Sequence, residues 1–430
     1  MSRASFLGLL ASLLILIGLV TLRGPLLALS VPLILYWSYS LWRGPGELAL
    51  RAERHLSADR AAPNISVTIS LTVTNLGDDI EELTLSDGVS AALEILDGSP
   101  QHVISLPRGG SFAFDYEVRG PRGAYSFDTL HAQARDHLGL LGQQMDLPTQ
   151  GQLFVLPLLP RIIEVVIRPR RTRVYAGAIP TRLGGAGVEF FGVRSYLPGD
   201  ALRRVNWRVA ARHPDELYTN ESQQERVADV AIVLDGRERS NLYAGGHSLF
   251  ENSVLAAGSM ADALLHQGNR VGLLVYSQYL HWALPGYGKI QRERILHALA
   301  SATPGASQIF EGLQYLPARL FPAESQIILV SPLVEEDYSP LVQLRARGYQ
   351  VLVVSPDPVG FEAARLPHAG AKFSKSEVEL AARIVRLERA WMLTRLRRAG
   401  IRVVEWDVMQ PFDQVTRRVF SRRPDLGIRL

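Results

Sequence analysis

The sequence predicts a multidomain chain in three parts: an N-terminal transmembrane helical hairpin, a small β-sandwich, and a C-terminal α/β unit on an open, mostly parallel sheet. Three observations predict it. Two long uncharged apolar runs open the chain, a stretch of period-two alternation follows, and from Val227 short apolar runs alternate with helical patterns.

The first run, Phe6 to Leu22, and the second, Pro25 to Trp42, are separated only by Arg23 and Gly24. At 1.5 Å per residue each reaches roughly 26 Å, close to a hydrocarbon core of about 30 Å. Pro25 suits the first turn of a second helix, and Tyr36, Trp37, Tyr39 and Trp42 cluster where aromatic rings favour a headgroup zone. Arg3 precedes the first run and Arg43, Arg51 and Arg54 follow the second, against Arg23 alone in the turn. The positive-inside bias then places both termini and the body at the cytoplasmic side of the membrane, with the lipid bilayer as one partner.

Composition narrows the chemistry. With 46 Lys+Arg against 42 Asp+Glu the charge is too balanced to indicate nucleic acid. Cysteine is absent, which excludes disulfides, a thiolate nucleophile and Cys-ligated zinc or iron–sulfur.

Residues 45–160 read as strands. Ile65, Val67, Ile69, Leu71 and Val73 alternate with Ser and Thr up to the turn at Asn75 to Asp79. Glu81 to Leu85, His102 to Leu106, Ser111 to Val118 and Leu130 to Ala134 are further candidates, predicting about six or seven strands in an immunoglobulin-like β-sandwich. Arg119 to Tyr125, R-G-P-R-G-A-Y, reads as a tight connection.

Residues 161–226 form a linker holding the densest constellation of the chain. Pro198 and Gly199 are turn residues, and Asp200 is placed to cap a short helix from Ala201. Glu189, Arg194, Asp200, Arg203, Arg208 and Arg212 supply charges for a network around Tyr196 and Trp207. Catalysis is disfavoured here: His213 has no nucleophile beside it, no G-x-S-x-G occurs, and the arginines would depress both carboxylates below general-acid range.

In residues 227–430, Val230 to Leu234 predicts a strand buried on both faces and ending in Asp235. Glu251 to His266, Ile290 to Ala300, Leu341 to Arg347 and Glu377 to Arg398 read as helices; Arg270 to Tyr276, Leu280 to Leu284, Gln326 to Ser331, Gln350 to Ser355 and Ile401 to Trp406 read as strands. Binding sites in such sheets lie beyond the carboxyl ends of the strands, which singles out Asp235 to Arg239 and Ser331–Pro332. Neither a glycine-rich dinucleotide loop nor GxxxxGK[ST] is present.

The segment G-V-E-F-F-G-V-R-S-Y-L-P-G-D-A-L-R-R-V-N-W-R-V-A-A-R, residues 187–212, resembles the signature of the DUF58 family, through Glu189, Gly192, Arg194, Tyr196, Pro198, Gly199, Asp200, Arg203, Trp207 and Arg212. R-G-P-R-G-A-Y, R-D-H-L-G-L (Arg135 to Leu140) and V-A-I-V-L-D add to the likeness. The resemblance implies a von Willebrand factor A-like α/β domain and a partnership with a MoxR-type AAA+ ATPase in assembling or maturing protein complexes, other membrane or envelope proteins being further partners. Domains of that type often hold Mg²⁺ through D-x-S-x-S, a distant hydroxyl and a later Asp. Here Asp235 matches the first position, Arg237 and Arg239 stand at the serines, Ser307 matches the distant hydroxyl, and Ser331–Pro332 replaces the later Asp. Two guanidinium groups in place of oxygens disfavour a hard cation, so no metal or cofactor is expected, and Arg237 and Arg239 are read as a rim for a partner's carboxylates. The resulting expectation is a non-catalytic adaptor or scaffold; a metal-assisted hydrolase and an envelope structural protein are the alternatives.

Overall fold

A computed structural model of the chain describes residues 3–42, 48–135, 142–162, 165–167, 173–213, 215–307, 312–365 and 375–420. It divides into two compact units, Met1–Leu156 and Pro157–Leu430.

The first unit opens with α1 (Arg3–Thr21) and α2 (Gly24–Trp42). They fold back on each other through a turn in which Leu22 takes a positive φ of 49° and the Arg23 N–H donates to the Gly18 carbonyl at 3.1 Å. Gly18 permits the approach, because a Cβ there would lie 2.9 Å from the Leu27 side chain. Among the described residues no helix is long and apolar enough to cross a membrane. That overturns the expected transmembrane hairpin and the membrane placement derived from it. Within α1 the apolar run Phe6–Thr21 covers roughly 24 Å, the helix ending one residue before the run does, against a hydrocarbon core of about 30 Å. In α2, Ser30 and Pro32 interrupt the apolar stretch before Tyr36, Ser38 and Tyr39. The basic flank used to orient the hairpin has other work as well: Arg51 and Arg54 belong to a strand, and the Arg54 side chain is fully buried.

Nine strands follow: β1 (Leu50–Leu56), β2 (Arg60–Ala61), β3 (Val67–Asn75), β4 (Ile80–Asp87), β5 (Glu94–Gly98), β6 (Gln101–Leu106), β7 (Ser111–Arg119), β8 (Gly123–Arg135) and β9 (Gly142–Val155). They form a four-stranded sheet, β1-β3-β7-β5, and a five-stranded one, β2-β9-β8-β4-β6. Val67, Ile69, Leu71 and Val73 of β3 point into one core with Phe114, Tyr116 and Val118 of β7, and the other sheet supplies Leu83, Leu85, Phe127, Leu130 and Leu153. Inside it Arg54 pairs with Asp87 and donates to the Thr149 carbonyl at 2.6 Å, while the Tyr116 hydroxyl donates to Asp87 at 2.5 Å. Burial, and then the hydrogen bond to Asp87, push the Tyr116 phenol well above its ordinary pKa. The R-G-P-R-G-A-Y connection closes on itself through Tyr125, whose hydroxyl donates to the Pro121 carbonyl at 2.9 Å.

The second unit begins with an antiparallel pair, β10 (Arg173–Ser195) and β11 (Tyr218–Val227), joined through the single-turn helix α3 (Trp207–Ala210). Beyond it come β12 (Asp229–Asp235), the two-residue strands β13 (Tyr243–Ala244) and β14 (His247–Ser248), α4 (Leu249–His266), β15 (Arg270–Tyr276), β16 (Leu280–Gly286) and α5 (Gly288–Ala300). Then follow β17 (Gln326–Val330), α6 (Tyr338–Ala346), β18 (Gln350–Pro356), α7 (Pro358–Ala363), α8 (Lys375–Arg398), β19 (Arg402–Trp406) and α9 (Phe412–Phe420).

The six-stranded sheet has the order β16-β15-β12-β17-β18-β19, with only β16 antiparallel. Alternate residues of β12 serve two cores. Val230, Ile232 and Leu234 pack with α4, α5 and α9, while Ala231 and Val233 pack on the face covered by α6 and α8. The chain builds outward from β12 through β15, then returns to continue through β17. The order therefore reverses between β12 and β17, which opens the crevice where doubly wound sheets place their sites.

Candidate functional site

Asp235 ends β12 and Ser331 immediately follows β17, so the crevice at the reversal is set by these two residues. The Ser331 hydroxyl donates to Asp235 Oδ2 at 2.6 Å. Gly236 turns the chain where a Cβ would fall 2.7 Å from Ser277 Cβ, so only glycine keeps this close approach. The backbone then returns Arg237 over the strand end. Its backbone N–H and Nε donate to Asp235 Oδ1 at 3.0 and 2.9 Å, and Nη2 donates to Oδ2 at 2.8 Å. On its other side the guanidinium reaches Asp337, Nη1 to Oδ1 and Nη2 to Oδ2, both at 2.8 Å. Ser240 adds a hydroxyl to Asp235 at 2.8 Å, and the Val334 N–H donates to Asp337 at 3.0 Å.

All three charged groups are buried, with side-chain exposures of 0% for Asp235, 3% for Arg237 and 1% for Asp337. Burial opposes the Arg237 charge, but its hydrogen bonds to Asp235 and Asp337 outweigh burial and hold the guanidinium above its ordinary pKa. Burial also raises the Asp337 carboxyl, with Arg237 pulling against it. Two carboxyl groups share one cation, Asp235 accepting five hydrogen bonds and Asp337 three.

The expected rim thus splits. Arg239 points outward and is exposed, whereas Arg237 is an internal cation and presents nothing to a partner. Ser307 is half-buried two residues beyond Gly305, whose strand-like bridge to Arg237 holds that loop against the site. Asp337 was not anticipated. The acidic run Glu335-Glu336-Asp337 is its signal, a 3₁₀ turn whose last residue lies seven residues beyond the strand end. Arg389 was missed too: this buried side chain on α8 donates to the Pro332 carbonyl, and to Ser355 Oγ at 2.7 Å and the Pro356 carbonyl at 3.0 Å, tying the ends of β17 and β18. No group of three or more His, Cys, Asp or Glu side chains suited to a metal ion occurs among the described residues.

The β10–β11 tip holds the signature. Arg194 donates to both oxygens of Asp200 at 2.8 Å, and Asp200 also accepts from the Leu197 N–H at 3.0 Å and the Thr219 hydroxyl at 3.4 Å. Arg194 first, then the Leu197 N–H, lower the Asp200 carboxyl to about 2. Asp200 is not a helix cap: the 3₁₀ turn Leu202–Arg204 has no side-chain cap, and Asn206 caps α3 by accepting from the Val209 N–H. Pro198 and Gly199 form the turn, Gly199 at φ 109°, and the Tyr196 hydroxyl donates to the Asp200 carbonyl at 3.3 Å. Gly192 sits at a register shift of the ladder. The Glu189 side chain lies outside the described residues. Arg203, Arg208 and Arg212 are exposed, as is His213, and of the expected network the Arg194–Asp200 clamp is the part formed among the described residues.

Fold and site define a doubly wound α/β unit whose switch-point crevice is closed by its own ion cluster and whose displayed chemistry lies on a two-stranded tip. Residues 192–398 match the family described as "Protein of unknown function DUF58". The uncharacterized protein YeaD of Bacillus subtilis is 26% identical over 240 residues, covering 53% of this chain and 58% of YeaD, so the match leaves much of the relative unspanned. Among solved structures, proximal thread matrix protein 1 of the mussel byssus shares 17% identity over 37% of this chain and 47% of its own, with a TM-score of 0.23. The cupredoxin domain of amoB from Nitrosocaldus yellowstonii shares 13% over 28% of this chain and 99% of its own, with a TM-score of 0.17. Likenesses at that level carry no argument about this fold.

Proposed function

We propose that this chain is a non-catalytic docking protein that works with a MoxR-type AAA+ ATPase, which supplies the ATP chemistry, in assembling or maturing protein complexes. The DUF58 resemblance supplies the kind of partner. The observation that carries the docking role is the display of large apolar side chains on the signature tip: Leu197, Leu202 and Trp207 are 58%, 68% and 64% exposed. The tip is held in shape by the Arg194–Asp200 clamp and ringed by the exposed cations of Arg203, Arg208 and Arg212. Aromatic and arginine side chains dominate interface hot spots, and an apolar centre with a basic rim fits a partner segment that is apolar and acidic. The hydrolase alternative gains nothing from the crevice, where the guanidinium already occupies the space between the two carboxylates.

The test is retention of a purified MoxR-type ATPase from the same organism by the intact tagged chain, with ATP, with ADP and without nucleotide. Binding should fall at least tenfold in a Leu197→Ala, Leu202→Ala, Trp207→Ala variant whose circular dichroism is unchanged. No retention in any nucleotide state, or equal retention by the variant, overturns the reading.

A further inference from the structure

Helix α8 carries two apolar faces where a surface helix of a globular protein needs one. Its inner face, Met392, Leu393 and Leu396, is buried in the core beside α6. A second row, Leu380, Ile384, Leu387 and Trp391, is 60%, 50%, 65% and 57% exposed. At about 100° per residue this row centres roughly 160° from the inner face, so it is not the edge of the core stripe. Its spacing of four, three and four residues is the d-a-d-a order of a heptad seam rather than the wider band of a core-facing helix.

The charges beside the row select a partner and a direction. With Leu380 at d, Arg383 falls at g and Glu388 at e, five residues apart. In a parallel, in-register pair of identical helices these two positions meet across the interface, opposite in sign, twice by symmetry. An antiparallel pair would instead set Arg383 against Arg383 and Glu388 against Glu388. Among the described residues neither side chain has an ion partner within its own chain. Arg395 lies over the Trp391 ring at 4.5 Å and closes the lower end of the row.

We infer that α8 pairs with α8 of a second copy as a short parallel coiled coil along Leu380, Ile384, Leu387 and Trp391, with Arg383–Glu388 bridges on both flanks. The seam is about 18 Å long, so the dimer is concentration-dependent rather than obligate. It uses a face of α8 separate from the signature tip, and stands whether or not the tip binds an ATPase.

Sedimentation equilibrium of the intact chain tests it. A monomer–dimer equilibrium is expected, with Arg383→Glu and Glu388→Arg each raising the dissociation constant about tenfold, because two attractive contacts become repulsive. The double variant Arg383→Glu/Glu388→Arg restores the pair and should return to within about threefold of the parent. The chain has no cysteine. Leu387→Cys therefore introduces a single thiol that faces its own copy only in the parallel register, and mild oxidation should cross-link it. A monomer at all accessible concentrations, association insensitive to either charge reversal, failure of the double variant to recover, or no cross-link at position 387 in a chain that still dimerises would each overturn the inference.

Discussion

Replacing Arg237 by Ala is expected to destabilise the α/β unit severely and in a pH-dependent way. The guanidinium makes four hydrogen bonds to two buried carboxylates, at 2.8 to 2.9 Å. Removing one partner from a buried ion pair costs about 3–5 kcal/mol, and here both remaining charges are of one sign. With about 1.4 kcal/mol per decade, protection of the β12 amides against hydrogen exchange in the intact chain should fall by roughly two to three and a half orders of magnitude. The variant can relieve the repulsion only by binding a proton. A carboxyl raised above its unfolded value of about 3.9 gives stability that is fully present below that value and lost as pH rises through the raised one. Exchange measured at pH 5.5 and at pH 8 should therefore show the larger loss at pH 8. A loss below about fivefold, or one equal at both pH values, would refute the assignment of Arg237 as the cluster's resident cation. Arg239→Ala is the control: an exposed side chain two residues away should change stability by no more than about 0.5 kcal/mol.

Three further outcomes follow from the same geometry. In Arg237→Ser the oxygens of Asp235, Asp337, Ser240 and Ser331 surround vacated space, so millimolar Mn²⁺ should restore part of the lost protection and EDTA should reverse it, while the native chain responds to neither. Asp87→Ala strands the buried Arg54 guanidinium in the first unit and should cost about 3–5 kcal/mol, read as lost exchange protection in β3 and β7. Asp200 should titrate near 2 by carboxyl NMR and return toward the ordinary aspartate value of 3.8 in Arg194→Ala. Because that value is lowered on folding, the clamp's contribution is present above the unfolded pKa and lost as pH falls through about 2.

Elements whose side chains follow one strict pattern were legible in the sequence. The Ser/Thr alternation maps onto β3, and the run Val230 to Leu234 onto β12, because each residue there is assigned to a face by spacing alone. Strands that bury charge or carry polar runs were not. β1, L-R-A-E-R-H-L, looks like a solvated basic flank until Asp87 is brought from thirty-three residues away to meet Arg54. β9 contains Gln143, Gln144, Thr149, Gln150, Gly151 and Gln152, which carry no period-two apolar pattern, and it forms because β8 lies alongside over most of its length. The apolar N-terminal runs were legible as helices, but run length alone did not establish a membrane crossing.

The misreading of the crevice turns on one physical point. An arginine at a position expected to supply an oxygen looks like a ligand lost, and two arginines look like repulsion toward any cation. Geometry separates them: Arg239 faces outward, while Arg237 folds back and becomes the cation, placing four donor contacts where a metal ion would place coordination bonds. Fork geometry lets it serve both acids at once, which a lysine ammonium in the same place would do less completely. The consequence bears on the proposed function. With the crevice filled by its own guanidinium, the surfaces left for the proposed recognition are the signature tip and the outer row of α8. Both lie within the stretch that matches DUF58, and they are separable, because Trp207→Ala should leave self-association intact and Arg383→Glu should leave partner binding intact.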